Sequence, residues 1–238
     1  MHWVASAATH PGAVRKKNED AYLARTDDSF WLVADGMGGH LAGEVASSMI
    51  VDGLAGLPMD GSFSEKVDRI EDCLFAVNDQ IRTHSQHHLD GRTMGSTFVS
   101  MLANQTEAVC MWVGDSRLYR LRQGSLACLS SDHSQVNEWV QRGLMTLDEA
   151  RRHPQGNVIT RAVGAAGELM VDITFVELMA GDRLLLCSDG LYGELVEEDI
   201  RRCLQVGSAE TRADALVQAA VMRGARDNVT AIVVQVME

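Results

Sequence analysis

Four short β-type runs crowd into the stretch from Met94 to Leu129, at 96–103, 107–113, 117–121 and 125–129, with only a few residues between neighbours. Parallel pairing needs a crossover of a dozen or more residues, so strands this close must pair antiparallel. The last two read as a hairpin through Gln123-Gly124. Further strands are expected at 2–8, 30–34, 171–178, 182–187 and 229–236, and helices at 42–57, 196–204 and 209–222. Between 67 and 81, Val67, Ile70, Leu74, Val77 and Ile81 recur at three- and four-residue spacing, which predicts a helix with one buried face. Strands and helices come in blocks, which favours an α+β fold with an antiparallel core over a doubly wound parallel sheet. The polar stretch 134–156 interrupts the pattern, with Thr146 and Glu149 spaced as a capping box.

With 238 residues, 46% of them hydrophobic, and only three prolines, the chain reads as one domain over 1–238. A formal net charge of −12 argues against nucleic acid as a partner, since a phosphate backbone is bound by Lys and Arg clusters. The five cysteines include no CxxC pair, so a disulfide framework is not expected, and buried thiols point to a reducing, cytoplasmic setting. No apolar run approaches the ~18 residues of a membrane span, so membrane insertion is not expected either.

Several strand-like runs carry an aspartate at one end. Phe30–Ala34 leads into Asp35-Gly36, Val109–Val113 into Gly114-Asp115, Leu184–Cys187 into Ser188-Asp189, and Asp227-Asn228 opens Val229–Val234. A single Asp beside Gly at a strand end is ordinarily a turn residue. Four of them on rigid strand ends can converge on cations. Near the N-terminus Arg15-Lys16-Lys17 runs into Asn18-Glu19-Asp20. Arginine presents a planar fork that matches a phosphate, and cations would allow a carboxylate pocket to accept that anion.

In register, these segments resemble the metal-dependent protein serine/threonine phosphatases of the PPM, or PP2C, type. The likeness covers essentially the whole chain and includes Asp35-Gly36-Met37-Gly38-Gly39, Met94-Gly95-Ser96-Thr97, Gly114-Asp115-Ser116-Arg117 and Asp132-His133-Ser134. It continues through Ile159-Thr160-Arg161-Ala162-Val163-Gly164, Ser188-Asp189-Gly190-Leu191 and Asp227-Asn228-Val229-Thr230.

The resemblance implies a four-layer αββα sandwich and an activity: hydrolysis of phosphoserine and phosphothreonine by a metal-activated water, in opposition to a Ser/Thr kinase. It implies two core Mn²⁺ or Mg²⁺ ions and a third, which suits an all-oxygen ligand set. Asp35 would bridge the core ions, the Gly36 carbonyl would complete the first, and Asp189 with Asp227 would hold the second. Asp115 would hold the third, with help from Asp189. Glu19 and Asp20 would order waters, with Asn228 beside them, and Arg15 would clamp the substrate phosphate. Animal relatives carry a histidine after the Asp-Gly pair. Here that position is Met37, and His40 is the nearest candidate acid. The stretch 140–157 corresponds to the family's flap, a natural place for substrate selection. The short chain resembles stand-alone, monomeric bacterial members, some of which act opposite a transmembrane kinase in control of type VI secretion. Two other readings stay open at this stage: a catalytically weak phosphoprotein-binding module and a small-molecule phosphatase.

Overall fold

The computed structural model describes residues 1–38, 42–89, 93–150, 153–165 and 167–238. One sheet has the strand order β1 (His2–His10), β11 (Val229–Met237), β10 (Arg183–Cys187), β7 (Arg117–Arg122) and β8 (Ser125–Cys128). The second runs β2 (Asp20–Arg25), β3 (Phe30–Met37), β5 (Phe98–Ala103), β6 (Glu107–Val113) and β9 (Asp172–Glu177), with the short β4 (Gly95–Ser96) paired to β3. All of these pairings are antiparallel, as the short connections require.

Alternation along the strands sorts side chains into three cores. Trp31, Val33, Val99, Met101, Leu184, Leu186, Ile232 and Val234 fill the gap between the sheets. The opposite face of the second sheet, with Phe30, Leu32 and Phe98, packs under α1 (Ala42–Ala55) and α2 (Phe63–His88), where Ile70, Leu74, Val77 and Ile81 form the buried stripe read from the sequence. Leu185, Cys187, Ala231 and Val233 pack under α6 (Glu197–Gln205) and α7 (Arg212–Met222). The result is the expected αββα sandwich. Both faces of β3 are covered, so Phe30 through Ala34 are all fully buried, and each large side chain among them contributes ~1.5–3 kcal/mol of apolar burial.

Some elements depart from the sequence reading. The run at 96–103 breaks at Thr97, whose amide donates to the Asp35 carbonyl and leaves β4 and β5 as separate strands. Strand β2 was not anticipated, because its mixed, half-buried DAYLAR pattern lacks a clean alternation. The last helix starts at Arg212, after a short 3-10 turn at Ala209–Thr211. In the polar stretch, α3 (Gln135–Gln141) is capped by the Ser134 hydroxyl, and α4 (Leu147–Ala150) follows Thr146, whose hydroxyl accepts from the Glu149 amide. A last short helix, α5 (Asp189–Tyr192), directly follows β10.

Candidate active site

The β2–β3 register sets Asp20 opposite Asp35. Along β3, Asp35 continues the row of Trp31 and Val33. Along β2, Asp20 continues the row of Tyr22, which packs against the same inter-sheet core. Both carboxylates therefore form an end layer of that core. From the other sheet, the Ser188 and Thr230 hydroxyls donate to Asp20 Oδ2 at 2.8 and 2.7 Å. Asp20 Oδ1 is buried with no hydrogen-bond partner.

Close backbone approach brings the remaining groups to the same end. A Cβ on Gly36 would lie 2.0 Å from the Gly43 carbonyl oxygen, so only glycine lets α1 start against the end of β3. A Cβ on Gly190 would lie 2.0 Å from the Asn228 carbonyl oxygen, which seats Asp189 beside the Asp227-Asn228 turn. Asn228 in turn binds the loop that carries Arg15. Its Oδ1 accepts from the Glu19 amide at 2.7 Å, and its Nδ2 donates to the carbonyls of Pro11 and Lys17 at 3.0 and 2.8 Å.

Asp115 is buried one residue beyond Gly114, and the Tyr192 hydroxyl holds its carbonyl at 2.9 Å. Gly114 donates to His133 Nδ1, so that nitrogen is unprotonated, and burial pushes the His133 pKa down. His133 therefore serves as a hydrogen-bonding anchor for the Asp115 turn. The polar stretch leaves the sandwich beside it: Thr160 donates to the His133 carbonyl, and Gln135 donates to Val158.

The cluster is electrostatically unfavourable by itself. Burial, followed by repulsion from Asp20, Asp189, Asp115 and Asp227, holds the Asp35 carboxyl well above its ordinary range. Burial is also the main cause for Asp20, raised to about 7 against the two hydroxyl hydrogen bonds, and for Asp115, raised to about 8 with Asp189 adding repulsion. Asp189 is raised by burial and then by Asp227, while a hydrogen bond with the Asp35 carboxyl and the Gly190 amide opposes the shift. Buried carboxylates this close stay ionised only when cations compensate them.

Arg15 supplies one such charge. Its Nε and Nη2 donate to Asp227 Oδ1 and Oδ2 at 3.0 and 2.7 Å, and each partner is about half exposed, at 54% and 43%. The arginine expected to clamp a phosphate is here forked onto a carboxylate of the cluster, because the two anions offer the same bidentate geometry. His40, the candidate acid, lies outside the described residues.

Among the described residues, no three His, Cys, Asp or Glu groups gather closely enough to cage an ion by themselves. Open oxygen-only clusters suit cations that keep several waters, as Mg²⁺ does, and the partnerless Asp20 Oδ1 faces such a use. The donor set therefore fits the hard divalent ions expected from the sequence. The supporting Thr97, Ser188 and Thr230 lie in the family-like motifs without an assigned role there, and Tyr192 lies just beyond one. The available signal was polar residues at or beside the ends of apolar runs, where a buried hydroxyl needs a partner.

Residues 13–223 match the protein phosphatase 2C family. The chain belongs to that family. It is 36% identical over 98% of its length to the serine/threonine protein phosphatase PstP of Mycobacterium tuberculosis, and spans 45% of that longer protein. With the serine/threonine phosphatase Stp of Listeria monocytogenes it shares 35% identity over 99% of its own length and 96% of the relative's. Among solved structures, the catalytic domain of PstP in complex with two manganese ions superposes with a TM-score of 0.89, at 34% identity and 99% coverage of both chains. PppA, described as a key regulatory component of the type VI secretion system in Pseudomonas aeruginosa, superposes at 0.91, with 40% identity over 99% of this chain and 98% of PppA.

Proposed function

We propose that this chain is a metal-dependent protein phosphatase that hydrolyses phosphoserine and phosphothreonine in opposition to a Ser/Thr kinase. The reading is carried by the end layer of the inter-sheet core, where the buried Asp20 and Asp115 meet the partly buried Asp35 and Asp189, all four with raised pKa values. In this assignment Asp35, the Gly36 carbonyl, Asp189 and Asp227 would hold two divalent cations, and Asp115 would hold a third. Divalent ions held there supply Lewis acidity toward the phosphoryl oxygens and lower the pKa of a water.

The chain's own residues supply the rest. Arg15 releases Asp227 and takes the phosphoryl oxygens, an exchange of small cost because a half-exposed ion pair is worth about 0–1 kcal/mol. Glu19 and Asp20 orient water, and Asn228 holds the Glu19 backbone so that this loop keeps its place over the site. The segment 140–157 re-enters beside the anchor of Asp115, which suits it to contact the polypeptide that carries the phosphate. Five free cysteines fit a cytoplasmic setting. The identity with PppA over nearly all of both chains supports a role in type VI secretion control.

Phosphopeptide hydrolysis is the test. Activity should vanish in EDTA, return with Mn²⁺ or Mg²⁺, and be lost in Asp35→Asn with the fold intact. Full activity in EDTA or in Asp35→Asn overturns the metal-dependent reading, and faster turnover of free phosphosugars than of phosphopeptides overturns the protein-substrate reading.

A further inference from the structure

The last turns of α2 carry three histidines, His84, His87 and His88, that the carboxylate site does not use. His84 and His88 are one helical turn apart, four residues, the spacing that puts side chains on one face. Their rings stack with centroids 4.3 Å apart and planes 17° from parallel. His88 Nδ1 lies 3.2 Å from the His84 carbonyl oxygen. A carbonyl can only accept, so this nitrogen carries the proton, and in the neutral ring Nε2 then keeps its lone pair. A backbone hydrogen bond of this kind is how metal-ligating imidazoles are commonly oriented.

Zinc–imidazole bonds are ~2.0–2.1 Å, so two nitrogens that share a tetrahedral ion sit roughly 3.3 Å apart. Sharing an ion also requires both rings to turn out of the stack, because each Nε2 lone pair lies in its ring plane and must point at the metal; His88 is exposed and His84 only partly buried, which leaves room for that turn. The pair stands at the C-terminal end of a 26-residue helix, where the carbonyl dipoles favour cations, on a chain of net charge −12. Imidazole nitrogen selects zinc, copper and nickel over magnesium and manganese, the reverse of the preference of the oxygen cluster.

We propose that His84 and His88 form a two-imidazole binding site for a borderline transition-metal ion, Zn²⁺ in the first instance, separate from the carboxylate cluster. No third His, Cys, Asp or Glu among the described residues completes a cage there, so water fills the other coordination positions. A bound ion ties the last turn of α2 across its face.

The test titrates Zn²⁺ into the full chain against a chromophoric chelator at about pH 7.5, above the ~6.5 of an ordinary imidazole, with excess Mg²⁺ present. Wild type, His84→Gln, His88→Gln and His87→Gln are compared, each also in an Asp35→Asn background that disables the carboxylate cluster. Circular dichroism without zinc checks that each variant folds. The expected result is one Zn²⁺ equivalent that survives in His87→Gln and in Asp35→Asn and weakens at least about tenfold in His84→Gln and in His88→Gln. Identical isotherms for wild type, His84→Gln and His88→Gln overturn the site, and so does loss of that equivalent in Asp35→Asn alone.

Discussion

Asp20→Asn should make the metal-free protein more stable while impairing its catalysis. In the folded chain, burial raises Asp20 from the ordinary 3.8 to about 7. Between those values the folded carboxyl holds a proton that the unfolded chain has released. The stability it contributes is therefore fully present below 3.8 and is lost as pH rises through about 7. At 1.36 kcal/mol per unit, a displacement of about three units sets a ceiling of about 4 kcal/mol. Asp35 and Asp189 compete for the same protons, so about 2–4 kcal/mol is the working figure. Asparagine removes the ionisation without losing the local contacts. Its Oδ1 can accept from Ser188 and Thr230, and its amide can occupy the position of the partnerless Asp20 Oδ1 and donate to neighbouring carboxylates. Urea unfolding in EDTA, followed by circular dichroism from about pH 4.5 to 8, checks this. The variant should be more stable by about 2–4 kcal/mol at the alkaline end and show a shallower decline, with Asp115 leaving a residual slope. Added Mg²⁺ or Mn²⁺ should stabilise wild type more than the variant. Equal stability at the alkaline end, or parallel pH curves, would refute the reasoning.

Arg15→Ala should raise the phosphopeptide KM by the equivalent of about 1.5–3 kcal/mol, the worth of a lost charge-assisted contact, in steady-state kinetics. Its unfolding free energy in urea should change by less than about 1 kcal/mol, because the pair with Asp227 is half exposed. Gly190→Ala drives a Cβ into the Asn228 carbonyl and should destabilise by at least ~2 kcal/mol in thermal unfolding, weakening Mn²⁺ binding at Asp189 and Asp227 with it. Asp115→Ala should fold normally and gain metal-free stability progressively as pH rises from about 4 to about 8, since a carboxyl raised to about 8 is removed, yet turn over phosphopeptides much more slowly. Undiminished kcat in that variant would confine Asp115 to the turn.

The aspartates that meet at the site were legible because each sits at the end of an apolar run, and strand ends in an antiparallel sandwich collect at the same edges. Strand β2 was not, since Tyr22 and Leu23 are only partly buried and no alternation marks the strand. Its hidden position concealed the direct Asp20–Asp35 pairing, which made Asp20 look like an outer residue and not part of the buried layer. Ser188 and Thr230 were obscured for a related reason: one follows a strand and the other lies within one, and only the meeting of the two sheets makes them donors to Asp20. The Arg15–Asp227 fork spans 212 positions and follows from the Asn228 anchor, which no local pattern encodes.

Register is therefore a functional variable in this fold. The side-chain period of a strand is two, so a one-residue slip of β2 against β3 would turn Asp20 toward α1 and put Ala21 in the gap between the sheets. Ser188 and Thr230 would lose their acceptor, and Asp35 would lose its carboxylate neighbour. What opposes the slip is apolar: Tyr22 packs on the inter-sheet core while Leu23 packs on the helix side. A half-buried strand of six residues thus holds in place a carboxylate whose burial disfavours folding, the pattern expected where activity, and not stability, accounts for a buried charge.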